Sequence, residues 1–305
     1  MISNEAEFKK ELAHRQQETE DVIRAFLPKE EGYAERVIEA MNYSVEAGGK
    51  RLRPLFIREV SRMYGVRAQL REPFMAALEM IHTYSLVHDD LPALDNDQYR
   101  RGRKTTWAVY GDDMAVIAGD GLLNYAYETA LKALREAKDR EETLRVTAAL
   151  ELLAKNAGIY GMVGGQCADL QTDRDPSSVD EETLLYIHRN KTAALIDSGL
   201  VIGAVLGGAP ESDVRSLHAI AQNIGLAFQI EDDILDVTGN AKELGKSVGK
   251  DAQEGKVTYV SMHGLDASRE QVRKLTDESL KLFDSLSVSD DFLRDVLEML
   301  VTRTR

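Results

Sequence analysis

The stretch of the chain that decides its fold and chemistry reads Phe228-Gln229-Ile230-Glu231-Asp232-Asp233-Ile234-Leu235-Asp236-Val237. Its apolar residues recur at the spacing of an α-helix. At about 100° per residue, Asp232, Asp233 and Asp236 lie on one face of that helix. Three neighbouring carboxylates repel one another, so the arrangement calls for a bound cation. Because the ligands are all oxygens, the expected ion is Mg²⁺.

Helical spacing of apolar residues continues along most of the chain, for example at Val37, Met41 and Val45. Breakers such as Gly48-Gly49 and Asp175-Pro176 separate these segments, and none of the breakers is long enough for a linker between domains. No convincing series of strands is found. The sequence therefore predicts an all-α fold, with one domain over residues 1–305 and about ten main helices around a central active-site cavity.

Composition restricts the partners of the protein. The 305 residues carry a formal net charge of −14, which argues against nucleic acid or an anionic membrane surface as the main partner. The single cysteine, Cys167, excludes an internal disulfide framework and favours a reducing, cytoplasmic location. The apolar segment Thr192 to Ala209 contains Asp197, so a buried helix is expected there rather than a stable membrane insertion.

A second acidic cluster stands 143 positions before the first and reads His88-Asp89-Asp90-Leu91-Pro92-Ala93-Leu94-Asp95. Pro92 disfavours a regular continuation of the helix, so Asp95 is expected to return to Asp89 through an irregular turn. His88 is expected to be an ordinary packed histidine. Mg²⁺ commonly binds one or two carboxylates together with substrate phosphates. Two such clusters therefore indicate a diphosphate site for leaving-group ionisation or phosphoryl transfer.

Cations are grouped at turn-like positions, where guanidinium and ammonium groups suit oxyanions. The groups are Gly48-Gly49-Lys50-Arg51-Leu52-Arg53-Pro54, Arg100-Arg101-Gly102-Arg103-Lys104 and Arg189-Asn190-Lys191-Thr192. Lysines also alternate with glycines between Thr238 and Lys256, and this composition predicts a mobile cationic loop.

With these motifs in this order, the chain resembles the trans-isoprenyl diphosphate synthases, and among them the bacterial farnesyl diphosphate synthases. The resemblance covers most of the chain. Besides both aspartate motifs, it is carried by Gly49 to Pro54, Arg100-Arg101-Gly102, Gly164-Gly165-Gln166 with Asp169, Lys191-Thr192, Phe228-Gln229, Gly245-Lys246 and Gly255-Lys256.

The resemblance implies a role for each matching residue. Several metal ions per site, Mg²⁺ with Mn²⁺ as the alternative, would be held by Asp89, Asp90, Asp95, Asp232, Asp233 and Asp236. The allylic diphosphate would be contacted by Arg100, Lys191, Lys246 and Lys256, with Thr192 and Gln229 beside the developing allylic cation. Isopentenyl diphosphate would be bound by Gly49, Lys50, Arg53, His82 and Arg101.

The product is expected to be farnesyl diphosphate, made from isopentenyl diphosphate and dimethylallyl or geranyl diphosphate. Tyr84 stands five residues before Asp89, about 7.5 Å along a helix, where its ring would act as the floor of the product pocket. Geranylgeranyl diphosphate is the alternative product, since pocket depth depends on further residues. The resemblance also implies a homodimer.

The loop after Arg100-Arg101-Gly102 departs from the family, which usually has a proline and a later histidine where this chain has Lys104 and Trp107. The departure puts substrate affinity in question more than reaction type. Two readings of another class are also open. His88-Asp89 could belong to an HD-type metal phosphohydrolase, or the chain could be a non-catalytic regulatory subunit. The phosphohydrolase interpretation gives no role to Asp232. A regulatory subunit would be expected to have lost aspartates of the two motifs, whereas this chain keeps them.

Overall fold

The computed structural model describes residues 5–239 and 256–302. Within these ranges there are fifteen α-helices, and eleven of them have eleven residues or more. In chain order they are α1 Glu5–Ala25, α2 Glu35–Val45, α3 Leu52–Met63, α4 Ala68–Asp89, α5 Thr106–Tyr110, α6 Asp112–Ala130, α7 Lys132–Glu136, α8 Arg140–Ala157, α9 Met162–Arg174, α10 Glu181–Ile187, α11 Ala194–Gly207, α12 Glu211–Thr238, α13 Tyr259–His263, α14 Leu265–Asp284 and α15 Asp291–Thr302. The all-α prediction is confirmed.

Other regular structure in these ranges is short. Two 3₁₀ turns occupy Gly32–Ala34 and Pro176–Ser178, and a π-helical turn, His188–Ala193, lies between α10 and α11. One antiparallel hairpin pairs β1, Tyr99–Arg100, with β2, Arg103–Lys104. The sequence did not predict this hairpin, because two-residue strands are too short to leave an alternating pattern.

The chain divides into two compact units. The N-terminal unit comprises residues 9–151 and 205–208, and the C-terminal unit comprises the described residues within 1–8, 152–204 and 209–305. Each unit is described by itself below. The prediction of a single domain stays a prediction.

Helix α4 is the centre of the N-terminal unit, where Phe74, Leu78 and Ile81 are fully buried. Helix α6 packs closely along it because Gly119 has no side chain. A Cβ atom at Gly119 would lie 2.1 Å from Nε2 of His88. That nitrogen is 3.1 Å from the carbonyl oxygen of Val116. His88 is therefore a packing residue between two helices, as the sequence predicted.

Helix α12, with 28 residues, is the longest of the C-terminal unit, where it packs against α14 and the π-helical turn. The lone acidic residue of α11, Asp197, is buried but well partnered. Its Oδ1 is 2.6 Å from Nδ1 of His218, and its Oδ2 accepts a hydrogen bond of 2.8 Å from Asn156. Among the helices of the described ranges, none combines the length and the apolar character needed to cross a bilayer.

Candidate active site

The first aspartate motif begins where α4 ends, at Asp89. After Pro92 the chain turns back, and the amide of Asp95 donates a hydrogen bond of 2.9 Å to the carbonyl oxygen of Asp89. The predicted irregular return is therefore confirmed. Asp89 is half-buried and Asp95 is exposed. The motif thus presents two neighbouring acidic residues at the open end of a buried helix.

Asp90 is placed differently from its two neighbours. Its side chain is buried, and Oδ1 accepts hydrogen bonds from Arg100, at 2.7 Å from both Nε and Nη2. Burial raises the pKa of Asp90 to about 6, although the Arg100 guanidinium opposes this rise. The structure therefore gives Asp90 an arginine partner that also carries a predicted diphosphate contact. A metal contact of Asp90 stays a prediction.

The hairpin that carries Arg100 and Arg101 joins two of the predicted motifs. Its turn has positive φ angles at both central residues, 53° at Arg101 and 76° at Gly102, the pattern of a type I′ turn. From this turn the Arg101 guanidinium donates a hydrogen bond to the carbonyl oxygen of Gly48. It lies so close to Gly49 that a Cβ atom there would be 2.7 Å from Nη1. A side chain at position 49 would displace this guanidinium, and the backbone φ of 143° there also favours glycine.

A group of basic side chains gathers beside that turn. Nη1 of Arg53 lies 3.4 Å from Nε2 of His82, and the buried Nε of Arg53 has no hydrogen-bond partner. Burial, followed by the charges of Arg53 and Arg101, holds the pKa of His82 well below its usual value. Burial also lowers the pKa of Arg53 and of Arg101. Such a group gains stability when an anion binds it. Lys50, which precedes Arg53 in the same motif, is exposed.

Arg51 fixes the shape of the Gly49–Arg53 turn from within. It has a left-handed backbone with φ of 48° and is the N-cap residue that precedes α3. Its buried guanidinium forms ion pairs of 2.5 Å with both Glu20 and Glu79, and it donates to the carbonyl oxygen of Val45. From the sequence, Arg51 is recognised only as a member of the motif Gly49 to Pro54. Its structural role depends on partners 31 and 28 residues away, which the sequence does not reveal.

In the C-terminal unit, the π-helical turn His188–Ala193 places Lys191 and Thr192. Turns of this kind are rare and are frequently found at functional sites. Glycines on both neighbouring helices accommodate it. A Cβ atom at Gly165 of α9 would lie 2.1 Å from the amide nitrogen of Lys191, and one at Gly225 of α12 would lie 2.3 Å from Cβ of Ala193. Both glycines are therefore needed for close packing.

Asp169 on α9 connects two of the predicted diphosphate contacts. It is buried, forms an ion pair with the ammonium group of Lys191, and has Oδ1 3.3 Å from Nζ of Lys256. Burial alone would raise the pKa of Asp169, but the two lysines outweigh it and hold that pKa below its ordinary value. Nearby, burial lowers the pKa of His188 to about 4. The sequence identifies Asp169 as part of a motif but does not show that it pairs with both lysines.

The second aspartate motif lies on α12, where Asp232, Asp233 and Asp236 are half-buried. Oδ2 of Asp233 accepts a hydrogen bond of 2.8 Å from the amide of Tyr259, the first residue of α13. Gln229 is half-buried one turn earlier on the same helix. Lys246, the remaining predicted contact of the allylic diphosphate, lies outside the described residues, as does most of the predicted cationic loop.

Tyr84 lies on α4, one turn before His88, and its ring is buried. The two rings meet edge to face, with their centroids 5.8 Å apart. Burial, with smaller contributions from Tyr127 and Asp89, raises the pKa of Tyr84 to about 12. The ring is thus a neutral, bulky group on the helix that ends in the first aspartate motif.

Comparison with known proteins identifies the family of this fold. The family model described as polyprenyl synthetase matches residues 34–292. The chain is 39% identical to farnesyl diphosphate synthase of Geobacillus stearothermophilus over 292 residues, which cover 96% of each chain. It is 41% identical to geranylgeranyl diphosphate synthase of Cyanophora paradoxa, over 88% of this chain and 87% of that one.

A solved structure gives the same result for the fold. The FPP/GFPP synthase from Zymomonas mobilis superposes with a TM-score of 0.85 at 32% identity, over 97% of this chain and 99% of that one. The relatives thus agree on prenyl chain elongation and differ in product.

Proposed function

Because the chain belongs to the polyprenyl synthetase family, and is a chain-elongating prenyltransferase, we propose that its product is farnesyl diphosphate. Its substrates are isopentenyl diphosphate and dimethylallyl or geranyl diphosphate. The buried ring of Tyr84 supports the C15 product, and the hairpin Tyr99–Lys104 of the N-terminal unit supports the diphosphate sites. Of its adjacent arginines, Arg100 binds Asp90 of the first aspartate motif, and Arg101 binds the carbonyl oxygen of Gly48. One hairpin therefore joins an acidic motif to a basic turn.

The basic turn suits isopentenyl diphosphate. Arg53, His82 and Arg101 have lowered pKa values because they are partly desolvated among like charges, and a diphosphate would remove this repulsion. Gly49 lets the guanidinium of Arg101 approach the turn, and Lys50 supplies a further exposed cation. We assign the allylic diphosphate to Arg100, Lys191 and Lys256, with Lys246 as an additional contact suggested by the motif.

The proposed reaction uses these groups to stabilise charge as it moves. The allylic carbon–oxygen bond breaks with its electron pair going to the diphosphate, where Arg100, Lys191 and Lys256 neutralise the developing charge. The isopentenyl double bond then bonds to the allylic carbon. Loss of a proton restores a double bond, with the released diphosphate as the base. The side chains of Thr192 and Gln229 are assigned to the side of the allylic cation.

The donor set fits divalent magnesium. The proposed ligands offer only oxygen, which Mg²⁺ prefers, and they are Asp89, Asp90, Asp95, Asp232, Asp233 and Asp236. Within the described ranges, no group of three or more His, Cys, Asp or Glu side chains is gathered closely enough to hold an ion by itself. Mg²⁺ does not need such a group when substrate phosphates and water complete its coordination. When bound, it would supply neutralisation of the leaving diphosphate. Mn²⁺ could substitute.

We expect condensation by the purified protein to depend on a divalent metal. Labelled isopentenyl diphosphate is incubated with Mg²⁺ and, separately, with dimethylallyl, geranyl or farnesyl diphosphate, and product length is measured with and without chelator. A chelator-sensitive C15 product supports the proposal. A C20 product assigns geranylgeranyl diphosphate instead. If folded protein condenses none of these substrates, hydrolysis of phosphate esters tests the phosphohydrolase reading, and rescue by a partner tests the regulatory subunit reading.

Tyr84→Ala is expected to lengthen the product. Removing the buried ring opens space on α4 beyond the first aspartate motif, so a chain can grow past the length that Tyr84 allows. We expect C20 or longer products to become the main fraction, measured by chromatography of the dephosphorylated alcohols. Tyr127→Phe, which keeps the ring of a neighbouring tyrosine, serves as the control. An unchanged C15 product from Tyr84→Ala would remove Tyr84 as the floor.

We also propose that the protein is a cytoplasmic homodimer. Exposed apolar residues on α6 support an interface, since Ile117 is 53% and Val116 is 41% exposed. Sedimentation of the purified protein distinguishes a dimer from a monomer.

A cytoplasmic location agrees with a single free cysteine, Cys167, and with the small diphosphates assigned as partners. A reporter fusion in cells would test it.

A further inference from the structure

The hairpin that presents Arg100 and Arg101 is too short to hold its own shape. Each strand has two residues, and isolated hairpins of this size are not stable in water. Its turn also places Arg101, which is not a glycine, at a φ of 53°, a conformation that costs energy. Besides the contacts of Arg100 with Asp90 and of Arg101 with Gly48, the hairpin therefore depends on contacts at its two ends.

The N-terminal end of the hairpin, just before β1, is held at the carbonyl oxygen of Asp97. It accepts a hydrogen bond of 2.8 Å from the indole nitrogen of Trp107 and another of 2.8 Å from the hydroxyl of Thr105. The amide of Thr105 also donates to the carbonyl oxygen of Gln98, at 3.0 Å. Trp107 is half-buried on α5, so its ring fixes the donor in one place.

The C-terminal end of the hairpin, at Lys104 of β2, is held by Tyr43 of α2. Its hydroxyl donates a hydrogen bond of 2.8 Å to the carbonyl oxygen of Lys104, and the guanidinium of Arg103 lies 4.3 Å from the centroid of its ring. Arg103 also donates to the carbonyl oxygen of Glu46, at 3.1 Å. Neither Tyr43 nor Trp107 has been assigned a contact with substrate.

We propose that Trp107 and Tyr43 are positioning residues, which hold the two ends of the hairpin so that Arg100 and Arg101 meet diphosphate in one fixed geometry. The inference rests on the diphosphate sites of the proposed function. It also explains how the chain departs from its family at Lys104 and Trp107. The contact of Lys104 uses its backbone carbonyl, which any residue supplies, and the indole N–H supplies a donor that a histidine ring also offers.

The first test removes the indole donor and then restores it. Trp107→Phe keeps an aromatic ring without N–H, whereas Trp107→His provides a ring N–H again. For Trp107→Phe we expect KM for both diphosphate substrates to rise about 3- to 10-fold, with kcat changed less than about twofold, the size of one lost hydrogen bond. Trp107→His should recover most of the loss. Equal KM values for Trp107→Phe and the wild type, or no recovery in Trp107→His, would overturn the role of Trp107.

The second test applies if either Trp107 variant fails to fold, and it uses a matched pair of tyrosines. Tyr43→Phe removes the hydroxyl that holds Lys104. Tyr110→Phe removes a hydroxyl that contacts Glu39, at 3.3 Å, from a ring packed 5.4 Å from Tyr43. We expect KM to rise in Tyr43→Phe and to stay at the wild-type value in Tyr110→Phe. Similar KM values in the two variants would contradict the proposal.

Binding of inorganic diphosphate, measured by calorimetry, separates this inference from the proposed function. If the wild type binds diphosphate but forms no condensation product, the proposed function fails while the affinities of Trp107→Phe and Tyr43→Phe still decide the positioning roles. Weakened binding, by about 3- to 10-fold, supports the inference. Wild-type affinity for diphosphate in both variants would contradict the positioning roles of Trp107 and Tyr43.

Discussion

Asp89→Asn lowers kcat for condensation by about 10³-fold, the largest single effect expected for this protein. Asparagine keeps the size of the side chain and removes its charge, so a bound Mg²⁺ would lose one anionic ligand and would neutralise the leaving diphosphate less well. The fold should tolerate the change. Asp89 ends α4, where a negative charge opposes the helix dipole, and its backbone carbonyl still accepts the amide of Asp95.

The measurement is single-turnover condensation of labelled isopentenyl diphosphate with geranyl diphosphate at saturating Mg²⁺, with thermal unfolding in parallel. Asp120→Asn is the matched control. It removes one exposed carboxylate from α6 in the same unit, 3.9 Å from the ring of His88. We expect this control to keep kcat within about twofold. If Asp89→Asn kept the wild-type kcat with an unchanged melting temperature, Asp89 would be excluded from the reaction.

Local periodicity made some of the structure predictable. The face shared by Asp232, Asp233 and Asp236 follows from helix geometry alone, because the segment continues as α12 without interruption. The return of Asp95 to Asp89 followed from one proline, since Pro92 excludes a regular helix at a known position. Both features depend on residues within a few positions of each other.

Contacts between distant residues were not predictable in the same way. Asp169 meets Lys191 across 22 positions, and Arg51 meets Glu79 across 28, with no pattern that pairs them. The ion pair of Asp90 with Arg100 required a hairpin whose strands are too short to show alternation. The motifs identified which residues matter, whereas only the fold shows which of them hold others in place.

The π-helical turn at His188–Ala193 is a further case. It adds a residue to one turn and so changes which way Lys191 and Thr192 point, compared with a regular helix. Sequence periodicity placed these residues on a helix but not on this turn. The glycines at positions 165 and 225 are its visible signal, because the close approach of the turn leaves no room for a side chain at either position.

This close approach leads to the second large effect, which is expected for Gly165→Ala. The new Cβ atom would lie 2.1 Å from the amide nitrogen and 2.7 Å from Cα of Lys191, and backbone atoms cannot yield as a flexible side chain can. Helix α9 or the π-helical turn must shift. We expect a loss of about 1–3 kcal/mol in the free energy of unfolding, typical of overpacking in a core.

The same shift should reduce activity beyond the loss of folded protein. Lys191 is held by Asp169 of α9, so moving α9 against the turn disturbs both the ion pair and the proposed diphosphate contact. We expect kcat to fall about 10- to 100-fold, since a displacement near 1 Å is enough for such a loss. Ala168→Ser, which adds one atom to the same helix at a half-buried position, is the control and should change neither quantity much. A Gly165→Ala protein that loses stability but keeps kcat would show that the turn tolerates movement, and that the geometry of Lys191 does not limit the reaction.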